Sequence, residues 1–403
     1  MSYLLILFFI LAVLAVIHSY ILFPLSLRWL NIFKKKKFTS KEQRAASKSW
    51  PGRVSVIMSC YNEEAVLREK IQSLQNQELN PDRIHFYIGS DASDDLTNDI
   101  MFKWAGSDSR VRFYPYERRR GKGPVINELA KEAIAEWGSG SHHVLLFTDA
   151  NVMLEPNCIQ AMLCNFNDKR VGVVDSHMQS IGTSSQGIST SEKAYIKREV
   201  WIKHLEGELW GCMMGTFGGC YAVRSDAFNP VPVNFLVDDF FITMEAVFSG
   251  FGAVSELSAV CTEVVPQQIE EEYRRKRRIA GGNFQNLAYF WNKLWTASAA
   301  NIYCFISHKL LRWISPILLI LAWFSAGILW LWGYGIFGWV CAIMFLGAIT
   351  LIIFDAILEK WKLHWALTRH LRYLLWMNIA LLEGFIQYLQ GIETNVWQPP
   401  KRQ

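Results

Sequence analysis

Two kinds of apolar pattern alternate along this chain. Between residues 50 and 283, short apolar runs are separated by segments with helical periodicity, and outside this block the apolar runs are much longer. The short runs are typical of strands in a parallel sheet that is buried on both faces. The long runs are long enough to cross a bilayer. The pattern therefore predicts one α/β domain of about 230 residues between membrane-associated segments.

The first long run, Leu4 to Phe23, is almost unbroken and can span a hydrocarbon core of about 30 Å. A cleaved signal peptide is the alternative, but no Lys or Arg precedes the run, and Pro24 follows it where a small-residue cleavage site would stand. We therefore expect residues 1–30 to be an uncleaved anchor. By the positive-inside rule, the basic residues after the run place the domain in the cytoplasm. These residues are Arg28, Lys34, Lys35, Lys36, Lys37, Lys41 and Arg44.

Long apolar runs return near the C-terminus. Ile314 to Trp332 and Ile336 to Phe354 are two candidate spans, and Leu371 to Leu389 is a third. The third run carries a polar stripe, which suits either a helix that faces its neighbours or an amphipathic helix in the interface. Three spans would put the C-terminus outside and two would put it inside. We expect interfacial helices, a transmembrane region and a tail, in that order, at 284–309, 310–392 and 393–403.

Within the domain, three apolar runs end in polar residues. The runs begin at residues 54, 84 and 144 and lead to Tyr61, Asp91 and Asp149. The carboxyl ends of parallel strands form the edge of the sheet at which ligands bind. The three strand ends therefore predict a ligand site at this edge.

The tripeptide Asp149-Ala150-Asn151 is a candidate metal site. Its two oxygen-bearing side chains are one residue apart after a buried strand, so they point the same way. They can share a divalent cation that bridges two phosphate oxygens. The same tripeptide is common as a turn or helix cap, which is the alternative. We expect Mg²⁺ or Mn²⁺ here.

Two basic segments are candidates for binding phosphates. Lys122 stands between two glycines before a predicted helix, where the backbone can approach a phosphate closely. Arg275 and Arg278 share a helix face, and a guanidinium pair can clamp a diphosphate. The alternatives are a solvated basic loop for the first segment and a cationic face against anionic lipid for the second.

Asp238 and Asp239 lie inside an apolar run and are candidate catalytic residues. Neighbouring buried carboxylates repel each other, so one of them holds its proton more tightly and is suited to act as a general base. Asp238 equally suits a helix N-cap, which makes Asp239 the favoured base.

Composition narrows the class of protein. Of the 403 residues, 51% are hydrophobic and only 19% are charged, which excludes a disordered chain and argues against a purely soluble enzyme. The net charge of +5 fits an anionic membrane surface or phosphates and does not require nucleic acid. The eight Cys show no metal-binding spacing, so we expect reduced thiols.

Taken in order, the motifs resemble those of family 2 glycosyltransferases with a GT-A fold. Within that family the chain is most similar to the membrane-embedded group that includes cellulose, hyaluronan and poly-N-acetylglucosamine synthases. The resemblance covers roughly residues 53–283 and extends in outline to the whole chain. It implies a Rossmann-like, mostly parallel α/β domain with transmembrane helices. The motifs that carry it are Val54–Glu64, Ser90–Thr97, Gly121–Gly123, Asp149–Asn151, Gly218–Arg224, Asp238–Asp239 and Arg275–Arg278.

The resemblance also implies a reaction and a role for each residue. A sugar would move with inversion from a nucleotide-diphosphate sugar, expected to be a UDP-sugar, to a hydroxyl of a lipid-linked, oligosaccharide or polysaccharide acceptor. The roles implied are a nucleotide pocket at Tyr61, Glu63 and Asp91, phosphate contacts at Lys122, Arg275 and Arg278, metal binding at Asp149 and Asn151, an acceptor site at Gly218 and Gly219, and a base at Asp239.

Two departures from the family pattern matter. Asn151 stands where an Asp is usual, so metal binding rests more on Asp149. The segment from Arg275 to Ile279 lacks the Gln and Trp of the family's QxxRW motif, which puts processive synthesis in doubt. Three functions stay open: a transferase that adds one or a few sugars, a processive synthase that exports its product, and a silent membrane scaffold that binds nucleotide sugars.

The resemblance also implies a setting for the enzyme. We expect a multi-pass protein of the inner membrane, with membrane lipids as partners and with further partners from envelope-polysaccharide assembly.

Overall fold

One eight-stranded sheet organises the middle of the chain in the computed structural model, which describes residues 1–33, 50–181, 188–264, 269–361, 366–392 and 394–395. In chain order, the strands β1 to β8 are Arg53–Cys60, Ile84–Asp91, Val111–Tyr116, His143–Thr148, Val152–Leu154, Val171–Ile181, Cys220–Arg224 and Gly252–Val264. Their order across the sheet is β3-β2-β1-β4-β7-β6-β8-β5.

The first half of the sheet is parallel and the second half is mixed. Strands β3, β2, β1 and β4 run parallel, whereas β7 is antiparallel to both of its neighbours. Strand β6 pairs with β8 in parallel, and β5 closes the edge antiparallel to β8. The prediction of a mostly parallel α/β sheet is confirmed.

The strands are apolar on both faces because helices cover both faces. In β1, Val54, Val56 and Met58 point into one buried cluster, while Ile57 points into the other. This alternation follows from the two-residue repeat of a strand. A sheet that is covered on both sides needs nearly continuous apolar strands, which is the pattern in the sequence.

The helices comprise those that alternate with the strands and those at the two ends of the chain. In chain order, α1 to α8 are Ser2–Ile17, Phe23–Phe33, Glu64–Gln75, Thr97–Ser107, Lys122–Trp137, Cys158–Leu163, Ile188–Trp210 and Asp238–Phe248. The helices α9 to α14 are Ile269–Leu294, Ala299–Cys304, Leu311–Trp313, Ser315–Leu331, Gly335–Lys360 and Ala366–Gln390. Single π-helical turns, His18–Leu22 and Phe305–Leu310, connect α1 to α2 and α10 to α11.

Of the described residues, one continuous helix, Ser2–Phe33, is long and apolar enough to cross a bilayer. A second crossing would require Ala299–Trp313 and Ser315–Leu331, which are bent by 64°, to count as one broken span. The helix Gly335–Met344 is apolar but shorter. The described residues therefore support membrane association only weakly, and they do not support the predicted multi-pass topology. Most of the basic flank after the first run, and most of the predicted tail, lie outside the described residues.

The domain meets the C-terminal helices through a glycine contact and a buried ionic cluster. A Cβ at Gly384 of α14 would lie 2.3 Å from Ala280 of α9, so only glycine permits this approach. On α7, the Glu199 carboxylate lies 2.7 Å from His308 Nε2 and accepts hydrogen bonds from Lys309 and Arg312. These contacts fix α7 and α9 beside the sheet edge described below.

Candidate active site

Three neighbouring parallel strands deliver the first site residues. Tyr61 follows β1, Asp91 ends β2 and Asp149 follows β4, and these strands lie side by side in the order β2-β1-β4. Asn62 and Ala92, the residues at the first two turns, have positive φ of 54° and 58°. L-residues seldom adopt this conformation, and it clusters at functional sites.

Asp91 organises the basic loop that precedes helix α5. Its buried carboxylate accepts hydrogen bonds from the backbone N–H of Arg120 at 2.7 Å and of Gly121 at 2.9 Å. The Nε of Arg119 donates to the same carboxylate at 3.2 Å. Gly121 has a φ of 83°, which favours glycine. Asp91 therefore fixes the loop from which Lys122 reaches Asp149 and Asp238 at the sheet edge, the region called the cleft below.

Tyr61 lies beside the basic loop that Asp91 holds, and Glu63 follows two residues later. The Arg119 guanidinium lies 3.3 Å from the centre of the Tyr61 ring, which is a cation–π contact. Glu63 is buried, and its backbone N–H donates to Thr97 Oγ1 at 2.9 Å. The side chains of Tyr61 and Arg119 form a flat, cationic surface beside Asp91.

Lys122 joins the two halves of the site. Its ammonium donates to Asp149 Oδ1 at 2.7 Å and lies 3.5 Å from Asp238 Oδ2. Burial by itself lowers the pKa of Lys122, but the carboxylates of Asp149 and Asp238 outweigh that effect and hold the pKa above its usual value. The ammonium is therefore a fixed positive charge inside the cleft.

A buried lysine supports the loop that contains Asp149 and Asn151. The ammonium of Lys70 donates to Thr148 Oγ1 at 2.7 Å and to the carbonyl of Val152 at 2.5 Å, one contact on each side of the tripeptide. The Asp149 N–H donates to the carbonyl of Gly219 at 3.0 Å. These bonds hold the Asp149 carboxylate at the sheet edge, where its side chain is 37% exposed.

Asp238 and Asp239 form the first turn of helix α8. The N-cap is Val237, so the alternative in which Asp238 caps the helix is wrong. Negative charge is favourable at a helix N-terminus, which accommodates two adjacent acids here. Gly218 has a φ of 84°, and a Cβ there would lie 2.8 Å from Asp239 Oδ2. The Gly218 backbone therefore packs directly against this carboxylate.

Asp239 has the electrostatics of a base that works near neutral pH. Burial, and then the neighbouring charge of Asp238, raise the pKa of Asp239 to about 6. The positive charges of Lys122 and Lys203 oppose this rise. A carboxylate with such a pKa is ionised at pH 7 and still basic enough to accept a proton.

Helix α9 brings two arginines to the site. Arg278 donates to the Leu236 carbonyl at 3.1 Å, just before the two aspartates. Burial lowers the pKa of Arg278, while Asp238 opposes that shift. Arg275 lies farther out, 3.9 Å from Glu263 Oε1, and the amide of Asn151 donates to the same oxygen at 3.0 Å. Glu263 thus connects the Asn151 loop to the arginine helix.

The donors at this edge fit a divalent cation that is held largely by the substrate. Asp149 is a partly exposed carboxylate that already pairs with one cation, and hard oxygen donors of this kind suit Mg²⁺ or Mn²⁺. Among the described residues, no group of three His, Cys, Asp or Glu side chains is arranged to hold a metal. A divalent cation at Asp149 would take further ligands from phosphates and water. The roles of Asp149 and Asn151 stay predictions.

The structure adds contributors that sequence reasoning missed. Arg119 lies three residues before Lys122, the residue of this loop to which the phosphate contact was assigned. Asp175 had a weak signal, since it ends the buried run Val171–Val174 of β6. Lys70, Lys203 and Glu263 gave no signal, because tertiary packing alone brings them to the cleft.

Comparisons with known proteins identify the family and the fold. A profile described as "Glycosyl transferase family 2" matches residues 55–229, and one described as "Glycosyl transferase family group 2" matches residues 144–382. A Bacillus subtilis (strain 168) protein named "Putative glycosyltransferase EpsH" is 29% identical over 116 residues, which cover 29% of this chain and 31% of that protein. The chain therefore matches about a third of the length of this curated relative.

Among solved structures, the mannosyltransferase PcManGT from Pyrobaculum calidifontis, in complex with GDP-Man and Mn²⁺, superposes with a TM-score of 0.71. The superposition covers 96% of this chain and 99% of that one at 18% identity, so it establishes the fold. The wider profile match covers more than half of the 403 residues. By that match and by its GT-A fold, the chain belongs to the family 2 glycosyltransferases, enzymes that use nucleotide sugars.

Proposed function

We propose that this enzyme transfers a sugar with inversion from a nucleoside-diphosphate sugar to a hydroxyl of a membrane-borne acceptor. One observation carries the proposal: the Lys122 ammonium lies 2.7 Å from Asp149 and 3.5 Å from Asp238. Asp239 is the next residue after Asp238. Groups that can neutralise a leaving diphosphate and a group that can accept a proton thus share one cleft.

The positive charges of the cleft stabilise the leaving group. Negative charge builds up on the nucleoside diphosphate as the bond to the sugar breaks, and fixed positive charges stabilise it where it forms. Lys122 and Arg278 provide such charges from two different helices. A divalent metal held by Asp149, with Asn151 nearby, would supply further charge neutralisation at the diphosphate.

Asp239 acts as the general base in this proposal. It takes the proton of the acceptor hydroxyl while that oxygen attacks the anomeric carbon from the face opposite the leaving group. Attack from that face inverts the configuration. At Gly218 a side chain would collide with the Asp239 carboxylate, so glycine keeps that carboxylate accessible to the acceptor in this proposal, whereas a Cβ at Gly219 would face Met178 and Val152.

The nucleotide binds at the other end of the cleft. Tyr61 and Arg119 offer a flat cationic surface for a base, and Asp91 holds the loop that faces the diphosphate. We propose a UDP-sugar as the donor. The similar fold of PcManGT, solved with GDP-Man, makes a GDP-sugar the first competitor to test.

The acceptor is proposed to be lipid-linked, with the catalytic domain on the cytoplasmic face of a multi-pass protein. Helix α9, which carries Arg275 and Arg278, packs along α14, and apolar side chains on the neighbouring helices are widely exposed. Examples are Leu331 at 78%, Trp339 at 73% and Ile336 at 71%. Exposed apolar surface of this extent is typical of contact with lipid.

A donor screen tests the proposal. The full-length protein, purified in detergent, is incubated with UDP- and GDP-sugars, Mn²⁺ and a lipid extract, and the released nucleotide is measured. We expect release from one nucleotide class, and short products attached to lipid. Long polymers would instead support the processive synthase. Binding of a donor without any release would support the silent scaffold and overturn the proposal.

A further inference from the structure

A buried ion pair lies behind Asp239 and has no part in the reaction as described so far. Lys203 of α7 and Asp175 of β6 have side chains that are only 4% and 1% exposed. The Lys203 ammonium stands 3.9 Å from Asp175 Oδ2 and 3.6 Å from the centre of the Phe217 ring. Burying such a pair usually costs stability compared with apolar side chains of the same size. Its position therefore calls for a functional explanation.

Asp175 holds the turn that packs against the base. Both of its carboxylate oxygens accept from the N–H of Phe217, at 3.3 and 3.2 Å. The next residue is Gly218, whose backbone contacts the Asp239 carboxylate. The turn is also tied to helix α8, because Thr216 N–H donates to Thr243 Oγ1 at 3.3 Å and that hydroxyl donates to the Asp239 carbonyl at 2.8 Å.

We propose that Asp175 and Lys203 are positioning residues for the sugar transfer, and that this role rests on the proposed function of Asp239. The pair holds the Phe217–Gly218 turn against the Asp239 carboxylate and places a compensated positive charge behind it. Neither residue touches substrate in this proposal. Both act through the base.

The pair can act on Asp239 because several charges converge on that carboxylate. Lys203 lowers the pKa of Asp239, whereas burial and Asp238 raise it. Burial also raises the pKa of Asp175, and the positive charge of Lys203 opposes that rise and favours the ionised carboxylate. Besides Asp238 on α8, the charged groups that face this part of the cleft are Lys122 on α5, Asp149 after β4, Asp175 on β6, Lys203 on α7 and Arg278 on α9. Lys203 also faces Glu199 of α7 and Lys309 of the second π-helical turn.

The test is the pH dependence of kcat/KM for two substitutions that change charge in opposite directions. Asp175→Asn keeps an oxygen for the Phe217 N–H but leaves Lys203 uncompensated, so we expect the acidic limb to move down by about one pH unit. Lys203→Met removes the positive charge, so the limb moves up. This second shift is smaller, because Asp175 can take up a proton once its partner is gone. The double variant is expected to return towards the wild-type profile.

Lys293→Met is the matched control. Lys293 is on α9, and its Nζ lies 2.5 Å from Glu245 Oε1. Glu245 is on α8, the helix of Asp239, but near its other end. We expect no shift of the limb in this variant. Donor affinity, measured by titration with the nucleoside diphosphate, confirms that each variant is folded. If Lys203→Met loses that affinity, Lys203→Gln replaces it.

The outcomes separate this inference from the proposed function. Shifts of opposite sign support the positioning role. Shifts of the same sign, or loss of thermal stability with an unchanged limb, overturn it and leave a purely structural pair. If Asp239→Asn retains transfer, the base assignment fails, whatever the two charge variants do.

Discussion

The two halves of the cleft use carboxylates in different ways. On the donor half, Asp91 is buried but satisfied by two backbone N–H groups and by Arg119, and it serves to fix a loop. On the base half, Asp175 is buried and Asp239 is half-buried among other charges, and both have a raised pKa. Hydrogen bonds to a carboxylate stabilise its charged form, whereas burial destabilises it. The donor half is therefore built for binding and the base half for proton transfer.

A substitution of Asp239 gives the strongest test of the difference between the two halves of the cleft. Asp239→Asn preserves the shape of the side chain but removes the basic oxygen, so we expect kcat to fall by about 10³- to 10⁴-fold. The affinity for the nucleoside diphosphate should stay within about twofold of the wild type. Steady-state kinetics and donor titration measure the two quantities.

Asp226→Asn is the control for that experiment, because Asp226 is exposed and follows β7 outside the cleft. It should leave kcat unchanged. A parallel loss of donor affinity and kcat in Asp239→Asn would show that the two halves are not separable.

Metal dependence is the next largest effect. Asp149→Asn removes the charge of the carboxylate expected to contact the metal, so the Mn²⁺ concentration for half-maximal activity should rise by about 10- to 100-fold. A titration of activity with Mn²⁺ after EDTA treatment measures it. The matched change is Asn151→Ala, for which we expect a smaller increase. A larger effect at Asn151 would reverse the assignment of the main ligand.

The local sequence predicted the parts of this site that lie at strand ends and helix starts. Tyr61, Asp91 and Asp149 follow apolar runs, and Asp238 and Asp239 begin a helix, so their positions depend on local pattern alone. Lys70, Lys203 and Glu263 come from separate elements, and no local pattern shows which way a side chain turns after packing. For the same reason, the sequence did not show that the amide of Asn151 donates to Glu263, which lies on the strand β8 that pairs with β5.

Membrane topology was harder to predict than the domain. The predicted span Ile314 to Trp332 corresponds to the helix Ser315–Leu331, which has 17 residues and counts as a crossing only together with Ala299–Trp313, from which it is bent by 64°. Hydropathy counts apolar residues and does not show where the helix that contains them begins and ends. In contrast, the alternation of strands and helices predicted the mostly parallel α/β sheet, because that pattern is a property of the whole domain.

On the donor half, a substitution at Asp91 should act on KM and not on kcat. Asp91→Asn keeps one acceptor oxygen, so one of the two N–H groups of Arg120 and Gly121 loses its partner, at a cost of about 1–3 kcal/mol. We expect the donor KM to rise about 10-fold, with kcat at saturation within about threefold of the wild type. Asp99→Asn, on the exposed side of α4, is the control. A fall in kcat at unchanged KM would erase the distinction between the halves.

The smallest predicted effect is on stability, and here Asp239→Asn is expected to stabilise the protein. The pKa of Asp239 is raised to about 6 in the folded protein, whereas an unfolded Asp has a pKa of about 3.9. At a pH between these two pKa values the folded state binds more protons than the unfolded state. The free energy of unfolding therefore falls as the pH rises towards 6. Asn at position 239 carries no such penalty. Asp239→Asn should therefore be more stable than the wild type at pH 8, by about 1–2 kcal/mol because the carboxylate is only partly buried, and the difference should vanish near pH 4. Chemical denaturation of both proteins at pH 8 and pH 4 measures this difference in stability.

A gain in stability that is equal at pH 8 and pH 4 would mean that the charge of Asp239 costs nothing in the folded state. The base half would then be no more strained than the donor half.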